Sequence, residues 1–304
     1  MPFATSVLHS RQFTFLIGVD QTPIIVHSGA IAALSEPLDR LLNGPFQEAQ
    51  SNQACFEYIE VEDFEKICAV AYGAALPVPE IRTLPPNAVN IREDYWVLSP
   101  RIVGPDSLTA RNNKLTAHVL CATLGDLNNL PGIPDRKDSQ ALYENTVDDF
   151  HRCGLLNIDD DETQRLPAVG GTAGGTVPPR NPTWNQDVSS ALLGYARIYL
   201  FSDEHLITQL QKDAEAGLRG FLARLDIYPP TRAAIVELIQ YVYDGEIVPD
   251  RADGEAMHPL REMVVKFMAL HLSAFGGFAP HTELVRRGGD YAVDLHEVTV
   301  EWLL

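Results

Sequence analysis

The chain has 304 residues, of which 45% are hydrophobic and 21% are charged, enough to bury a full core in one large or two small domains. Its 41 acidic residues outnumber its 23 basic residues, giving a formal net charge of −18, and each third of the chain is acidic. Because no part of the chain is basic, phosphate backbones and anionic membranes would be repelled, and we expect neither a nucleic-acid nor a membrane partner.

The cysteines and the N-terminus bear on the cellular compartment. The four cysteines form no C-x-x-C pair and are too sparse for a disulfide framework. A secretory signal has an apolar run after a basic cluster, and the first ten residues contain no such run. No stretch has the roughly 18 consecutive apolar residues of a membrane helix. The sequence therefore predicts a cytoplasmic and/or nuclear protein that is not secreted.

The residues after position 10 predict a β-hairpin. The run 13–17 (FTFLI) is rich in β-forming residues and ends at Gly18, and the run 23–26 (PIIV) has the same character. Residues 19–22 between the two runs are few enough for a hairpin loop. We therefore expect two antiparallel strands at the start of the chain.

Two short helices are predicted to follow this hairpin. Ser28 is placed to cap the first, and Ser35 is placed to cap the second, which tolerates Pro37 in its first turn. Apolar residues recur at helical spacing behind both serines. The residues expected to face inward are Ile31, Leu34, Leu38, Leu41 and Leu42.

A strand and a helix complete the first third of the chain. Residues 54–61 alternate weakly between apolar and polar side chains, which is typical of a half-exposed strand. Phe64, Ile67, Cys68 and Ala71 then mark the apolar face of an amphipathic helix.

The middle of the chain is rich in proline and glycine. Twelve of the 21 prolines lie between positions 77 and 190, and residues 170–175 read GGTAGG. Such a stretch cannot hold a continuous helix or a central strand. We expect residues 77–189 to be a largely flexible insertion. Beyond it, apolar stripes at helical spacing predict that the last third is almost purely helical.

The order of these elements resembles the BTB/POZ domain, whose layout is a β-hairpin, two short capped helices, a third strand and further helix pairs. The run 13–18 (FTFLIG) looks like the family's opening strand with its terminal glycine. The run 25–35 (IVHSGAIAALS) is similar to the family's hallmark stretch, where a strand delivers a histidine and a helix ends in a serine. These two positions are His27 and Ser35.

Two later runs extend the resemblance. The run 62–73 (EDFEKICAVAYG) is similar to an acidic, phenylalanine-led helix of the family that closes near Tyr72. The run 196–203 (ARIYLFSD) resembles the family's helix with a tyrosine, here Tyr199, and a final aspartate, here Asp203. The resemblance implies structural roles for these residues and for His27, which is expected to be hydrogen-bonded near the strand–helix junction.

The resemblance implies an α+β fold in which a small mixed sheet is flanked by helical hairpins. The BTB/POZ domain would be split into a first part, residues 11–76, and a second part, residues 190–225, by the long loop insertion 77–189. An all-α C-terminal region, residues 226–304, would follow. Within it the run 236–243 (VELIQYVY) looks like the helical tail of fungal members of the family.

The function implied by the resemblance is a non-catalytic protein–protein interaction module that acts in homo- or hetero-oligomerisation, as a scaffold or as an adaptor. Its expected partners are other copies of itself or other BTB proteins. The alternative is a substrate adaptor of a cullin-type E3 ubiquitin ligase, which would bind a cullin scaffold. No cofactor is expected.

The candidate partner-binding residues are Phe46, Gln47 and Glu48. In BTB proteins that serve as substrate adaptors, an apolar-x-Glu element in this loop takes part in docking to the cullin scaffold. Such docking needs one apolar side chain for a pocket and one carboxylate for a basic neighbour. The competing interpretation is that Phe46 packs on its own domain.

Catalytic and metal chemistry find little support in the sequence. The chain has no Gly-x-Ser-x-Gly elbow for a nucleophile, and the glycines at 170–175 lack the Gly-Lys-Ser/Thr of a phosphate-binding loop. His118, Cys121, His151 and Cys153 have zinc-competent side chains, but such sets arise easily by chance. We expect no enzyme and no metal site, with an enzyme or metal site inside the insertion as a remote alternative.

Overall fold

A computed structural model of the chain describes residues 5–84, 181, 186–248, 256–275 and 278–303. These residues divide into two compact units. Unit 1 contains residues 5–79 and 194–218, and unit 2 contains residues 80–84, 181, 186–193 and the described residues from 219 onward. The described chain is of the mixed α+β class with small sheets and many helices, which confirms the predicted class.

Unit 1 is built on a three-stranded mixed sheet with the order β2-β1-β3. Strand β1 (Gln12–Ile17) pairs antiparallel with β2 (Thr22–His27) and parallel with β3 (Gln53–Phe56). Gly18 ends β1 with a φ of +71°, in the left-handed region that glycine adopts without a steric penalty. The predicted hairpin is therefore present, whereas the third strand is shorter than the predicted 54–61.

The alternation of β1 places its large apolar side chains on the buried face of the sheet. Phe13, Phe15 and Ile17 are fully buried, and the intervening residues are more exposed. Phe15 contacts Phe56 of β3 at 5.4 Å and Phe64 at 5.0 Å between ring centroids. This aromatic cluster is the core on which the helices of unit 1 pack.

Five helices accompany the sheet in the N-terminal part of unit 1: α1 (Thr5–Leu8), α2 (Ser28–Ala32), α3 (Glu36–Asn43), α4 (Gln47–Ser51) and α5 (Val61–Ala71). Ser35 caps α3, because its side-chain oxygen accepts a hydrogen bond from the Leu38 N–H at 3.4 Å. Ser28 begins α2 as its first residue, and His27 occupies the cap position in its place. Helix α4 was not predicted.

The burial of α3 corrects one expectation. Leu38 and Leu42 are buried, but Leu41 is only half-buried. Leu38 and Leu42 are four residues apart and share one helix face, which contacts the core. Leu41 lies about 100° away from Leu42 around the helix.

Two longer helices follow β5, α6 (Ser189–Glu204) and α7 (Thr208–Leu222), and the boundary between the units falls within each of them. In unit 1, Tyr199 and Phe201 of α6 are buried. The ring of Phe201 meets that of Phe56 edge-on at 5.4 Å. The aromatic cluster of unit 1 thus combines side chains from both sides of the middle segment.

Unit 2 is mainly helical. Its helices beyond α7 are α8 (Pro229–Val242), α9 (Pro259–His271), a short 3₁₀ turn (Leu272–Phe275), α10 (Ala279–Arg287) and α11 (Asp290–Leu303). Prolines in the first turns of α8, α9 and α10 fit helix starts, where no backbone N–H is needed. Within the described ranges, no helix is long and apolar enough to cross a membrane.

Both ends of the predicted insertion contribute to unit 2. Strand β4 (Arg82–Thr83) pairs antiparallel with β5 (Gln186–Asp187), and the next residue, Val188, is fully buried. The other residues of the segment, 85–180 and 182–185, lie outside the described residues. Prolines and glycines therefore did not exclude local order at the two ends, where backbone pairing and burial stabilise the chain.

Asn181 is the residue of that segment with the most specific role. Its Oδ1 accepts a hydrogen bond from the Asp226 N–H at 2.8 Å, and its Nδ2 donates to the Asp226 carbonyl at 2.7 Å. Nδ2 also donates to Thr231 Oγ1 at 3.1 Å. Because Asn181 is fully buried, these bonds replace the water that its amide lost on folding.

Candidate partner-binding site

Phe46 lies where the chain turns from α3 into α4. It occupies the N-cap position of α4 with an extended backbone, and its carbonyl accepts a hydrogen bond from the Gln50 N–H at 3.3 Å. Half of Phe46, 50%, is exposed, although phenylalanine is usually buried. The geometry thus leaves Phe46 available for contact with a partner.

The other two predicted residues begin α4. An adaptor would be expected to have both Phe46 and Glu48 exposed to solvent, but Glu48 is half-buried, whereas Gln47 is exposed. Ala49 next to it is buried against unit 1. The Glu48 carboxylate lies in the first turn of α4, where the exposed N–H groups of the helix favour a negative charge.

Arg11 fixes the position of the segment that contains Phe46 and the start of α4. Its Nη1 donates to the Ala49 carbonyl at 3.0 Å, and its Nη2 donates to the Leu42 carbonyl. The Arg11 carbonyl in turn accepts from the Ser28 N–H at 2.8 Å. One guanidinium therefore bridges α3 and α4 on either side of Phe46. Local sequence patterns did not predict this role of Arg11, because its partners lie 31 and 38 residues away.

His27 and Tyr72, predicted separately as structural residues, meet in the structure. The Tyr72 hydroxyl accepts a hydrogen bond from the His27 backbone N–H at 2.9 Å. The hydroxyl proton then remains for His27 Nδ1, which is 2.8 Å away. The end of β2 is thereby tied to the end of α5.

Tyr199 and Asp203 are joined by Gln211 of α7. Gln211 Nε2 donates to Asp203 Oδ1 at 2.7 Å, and the Gln211 side chain also hydrogen-bonds Tyr199. Burial raises the pKa of the Tyr199 phenol, so it is a neutral hydrogen-bonding group at pH 7. Both residues stabilise the packing of α6 against α7.

An ion cluster around Asp63 links α5 to α6. Asp63 is almost fully buried, and its carboxylate accepts from Lys66 at 2.7 Å and from Arg197 at 3.3 Å. The backbone of Gly194 approaches so closely that an added Cβ would lie 2.9 Å from Asp63 Oδ1. Local sequence at the acidic start of α5 indicates only a favourable interaction with the helix dipole, since Arg197 lies 134 residues further along the chain.

Unit 2 contains a buried polar network around Arg261 of α9. The Arg261 side chain donates to the Val242 carbonyl at 3.3 Å, to the Val248 carbonyl at 2.8 Å and to the Asp290 carboxylate at 2.9 Å. Its guanidinium lies 4.8 Å from the ring centre of Tyr243. One buried cation thus connects α9 with the end of α8 and the start of α11.

The same region includes two further buried pairs. The Tyr243 hydroxyl donates to Asp294 at 2.9 Å, and the Tyr291 hydroxyl pairs with His281 Nε2 at 2.9 Å. Burial raises the pKa of both tyrosines and lowers that of His281. Both tyrosines and His281 are therefore uncharged at pH 7, and the two pairs link α8, α10 and α11 within unit 2.

Few residues in the described part of the chain are suited to bind a metal ion or to act as a nucleophile. Within those residues no group of three or more His, Cys, Asp or Glu side chains could hold a metal ion. Burial raises the pKa of the Cys68 thiol to about 12, which keeps it protonated and unreactive. His118, Cys121, His151, Cys153 and the glycines at 170–175 lie outside the described residues.

Comparisons with family models, curated proteins and solved structures yield no match.

Proposed function

We propose that this chain is a non-catalytic protein-interaction module of the BTB/POZ type. The order of its described elements supports this: a β-hairpin, the three short helices α2, α3 and α4, a third strand, helix α5 and then, after the middle segment, the helix pair α6 and α7. The central sheet is small and mixed, as the resemblance implies. The partners are proteins, either a second copy of the chain or other BTB/POZ proteins.

The observation that carries this proposal is the exposed Phe46 on a well-held surface element. An apolar ring that is 50% exposed would be unfavourable on an isolated module, since it keeps water in contact with apolar surface. Arg11 fixes the two helices on either side of it. A partner that covers a preorganised ring gains the free energy of burying apolar surface. Little conformational entropy is lost, because the ring is already held in position.

The more specific version is a cullin-type ubiquitin-ligase adaptor. Phe46 would fill an apolar pocket of the cullin scaffold, and Glu48 would face a basic residue there. Glu48 is half-buried, so part of the residue remains accessible to a partner. This version competes with simple oligomerisation, and binding to a purified cullin scaffold separates the two.

Phe46→Ala is expected to abolish micromolar binding to a cullin scaffold, while changing the free energy of unfolding by less than about 1 kcal/mol. Glu48→Ala is expected to weaken binding less, and the difference should shrink as salt is added, because a rim charge is screened. Isothermal titration calorimetry and thermal unfolding measure both effects.

Val19→Ala is the matched control, because Val19 is an exposed apolar residue of the same unit. It should leave binding unchanged. If the unmodified chain does not bind the scaffold at micromolar concentration, the adaptor version is wrong and the oligomerisation version stands. If Phe46→Ala lowers the free energy of unfolding by about 3 kcal/mol, Phe46 is a core residue. Its assignment to a docking element is then wrong.

A further inference from the structure

The turn between α6 and α7 contains a leucine where glycine is the usual residue. The Leu206 N–H bonds the Asp203 carbonyl at 3.1 Å, and the Ile207 N–H bonds the Ser202 carbonyl at 2.7 Å. These two bonds are those of a Schellman helix end, whose first residue after the helix cap adopts a left-handed backbone. Leu206 occupies that position with a φ of +55°.

The strained backbone of Leu206 is not offset by burial of its side chain within the unit. A side chain with a Cβ is disfavoured in the left-handed region, and glycine or asparagine avoids the penalty. Yet Leu206 is 66% exposed, while the next residue, Ile207, supplies the buried apolar contact of the turn. A strained residue whose side chain faces water indicates a role outside the packing of the unit.

Two ring side chains are connected to Leu206 through the chain, because His205 directly precedes Leu206 and Tyr58 is hydrogen-bonded to His205. The Tyr58 hydroxyl lies 2.9 Å from His205 Nε2, and Tyr58 also hydrogen-bonds Glu204. The His205 ring packs on Phe201 at 4.3 Å between centroids. Tyr58 is 48% exposed, so an apolar surface remains open although its polar tip is bonded. We call the surface of Tyr58, His205 and Leu206 the Leu206 surface.

The charge around the Leu206 surface is negative. Glu57, Asp203 and Glu204 are exposed and adjoin its residues in the chain. Residues 53–60 and 198–211 contain no lysine or arginine. Burial lowers the pKa of His205, so the imidazole adds no positive charge at pH 7. A partner segment bound here would meet an apolar centre with carboxylates at its edge.

We propose that the Leu206 surface docks a protein segment that presents an apolar side chain flanked by lysine or arginine. The apolar side chain would cover Leu206 and the ring of Tyr58, and the cations would approach Glu204, Asp203 and Glu57. This surface lies on different elements from Phe46 and does not depend on the docking element of the proposed function.

The test uses the full chain and a set of labelled nonapeptides, each with a central leucine, methionine or phenylalanine between lysines or arginines. A twin set has glutamate in place of every basic residue. Fluorescence anisotropy should show binding by members of the basic set only, weakening as salt is added. Leu206→Gly should weaken this binding at least about tenfold.

Thermal unfolding of Leu206→Gly distinguishes a docking role from a structural one. Glycine fits the left-handed backbone of the turn, so the Tm should stay within about two degrees of the unmodified chain or rise. Leu206→Asn, which also tolerates this backbone, should behave in the same way. A clear fall in Tm for both variants would mean that the leucine serves packing, and the proposal would be wrong.

Ile25→Thr is the matched control for peptide binding. Ile25 is 62% exposed on β2 of the same unit, and threonine keeps its β-branched shape. Binding of the basic peptides should be unaffected. The proposal is overturned if no basic peptide binds, if the acidic twins bind equally well, or if Ile25→Thr weakens binding as much as Leu206→Gly.

Discussion

Replacing Arg261 with alanine is expected to lower the free energy of unfolding by about 3–5 kcal/mol, as the loss of one partner from a buried ionic network does. Arg261 is only 1% exposed. The substitution leaves the Val242 and Val248 carbonyls without this donor and removes the cation beside Asp290. Urea denaturation followed by circular dichroism measures the loss, and hydrogen exchange locates it in α8, α9 and α11.

The control for this prediction is Arg286→Ala. Arg286 lies in α10 of the same unit and makes a well-exposed ion pair with Glu283 at 2.8 Å. Such a pair contributes little, so the loss should stay below about 1 kcal/mol. Equal, small losses for the two variants would contradict a stabilising network around Arg261.

Leu42→Ala is expected to cost about 2–5 kcal/mol, because Leu42 is fully buried and its truncation leaves a cavity. Leu41→Ala, one residue earlier on the same helix, should cost about 1 kcal/mol or less, since Leu41 is half-buried. The two variants remove the same atoms from neighbouring positions, so helix propensity cancels between them. Denaturant titrations of both variants measure the difference.

The result that would contradict this assignment is the reverse order. If Leu41→Ala cost more than Leu42→Ala, the face of α3 turned toward the core would be the one containing Leu41. The register of α3 relative to the sheet would then differ from that described above. The position of Phe46, three residues beyond the end of α3, would have to be revised with it.

Local patterns in the sequence were sufficient to predict much of unit 1. Two runs of β-forming residues separated by a short loop predicted β1 and β2, because such residues fit the pleated, partly buried surface of a sheet. Ser35 followed by Pro37 predicted the start of α3, because a capping hydroxyl and a first-turn proline suit a helix N-terminus. Leu41 was wrongly expected to face inward because Leu38 and two adjacent leucines define a wide stripe.

Long-range contacts could not be predicted from local patterns. Arg11 with Ala49, Asp63 with Arg197 and Arg261 with Asp290 each join residues far apart in the chain. A single sequence contains no signal for such pairs. Helix α4 was missed for a related reason: it has five residues and depends on Arg11 for its position.

The candidate site was predicted only in part. The apolar-x-Glu pattern identified Phe46 through a family resemblance, but the pattern cannot distinguish an exposed ring from a buried one. Leu206 was not predicted as part of a binding surface: its helical spacing with Leu210 and Leu218 favours a buried apolar stripe, whereas Leu206 is 66% exposed.

The central claim, that this chain acts by binding proteins through its Phe46 element, is tested most directly by quantitative affinity capture with the unmodified chain and Phe46→Ala. The oligomeric state of each purified chain is measured alongside, from the mass of the particle that it forms in solution. We expect a defined set of proteins, or a second copy of the chain, whose recovery falls at least about tenfold in the variant while its Tm is unchanged. If the two chains recover the same proteins in the same amounts and form the same oligomer, the account is contradicted.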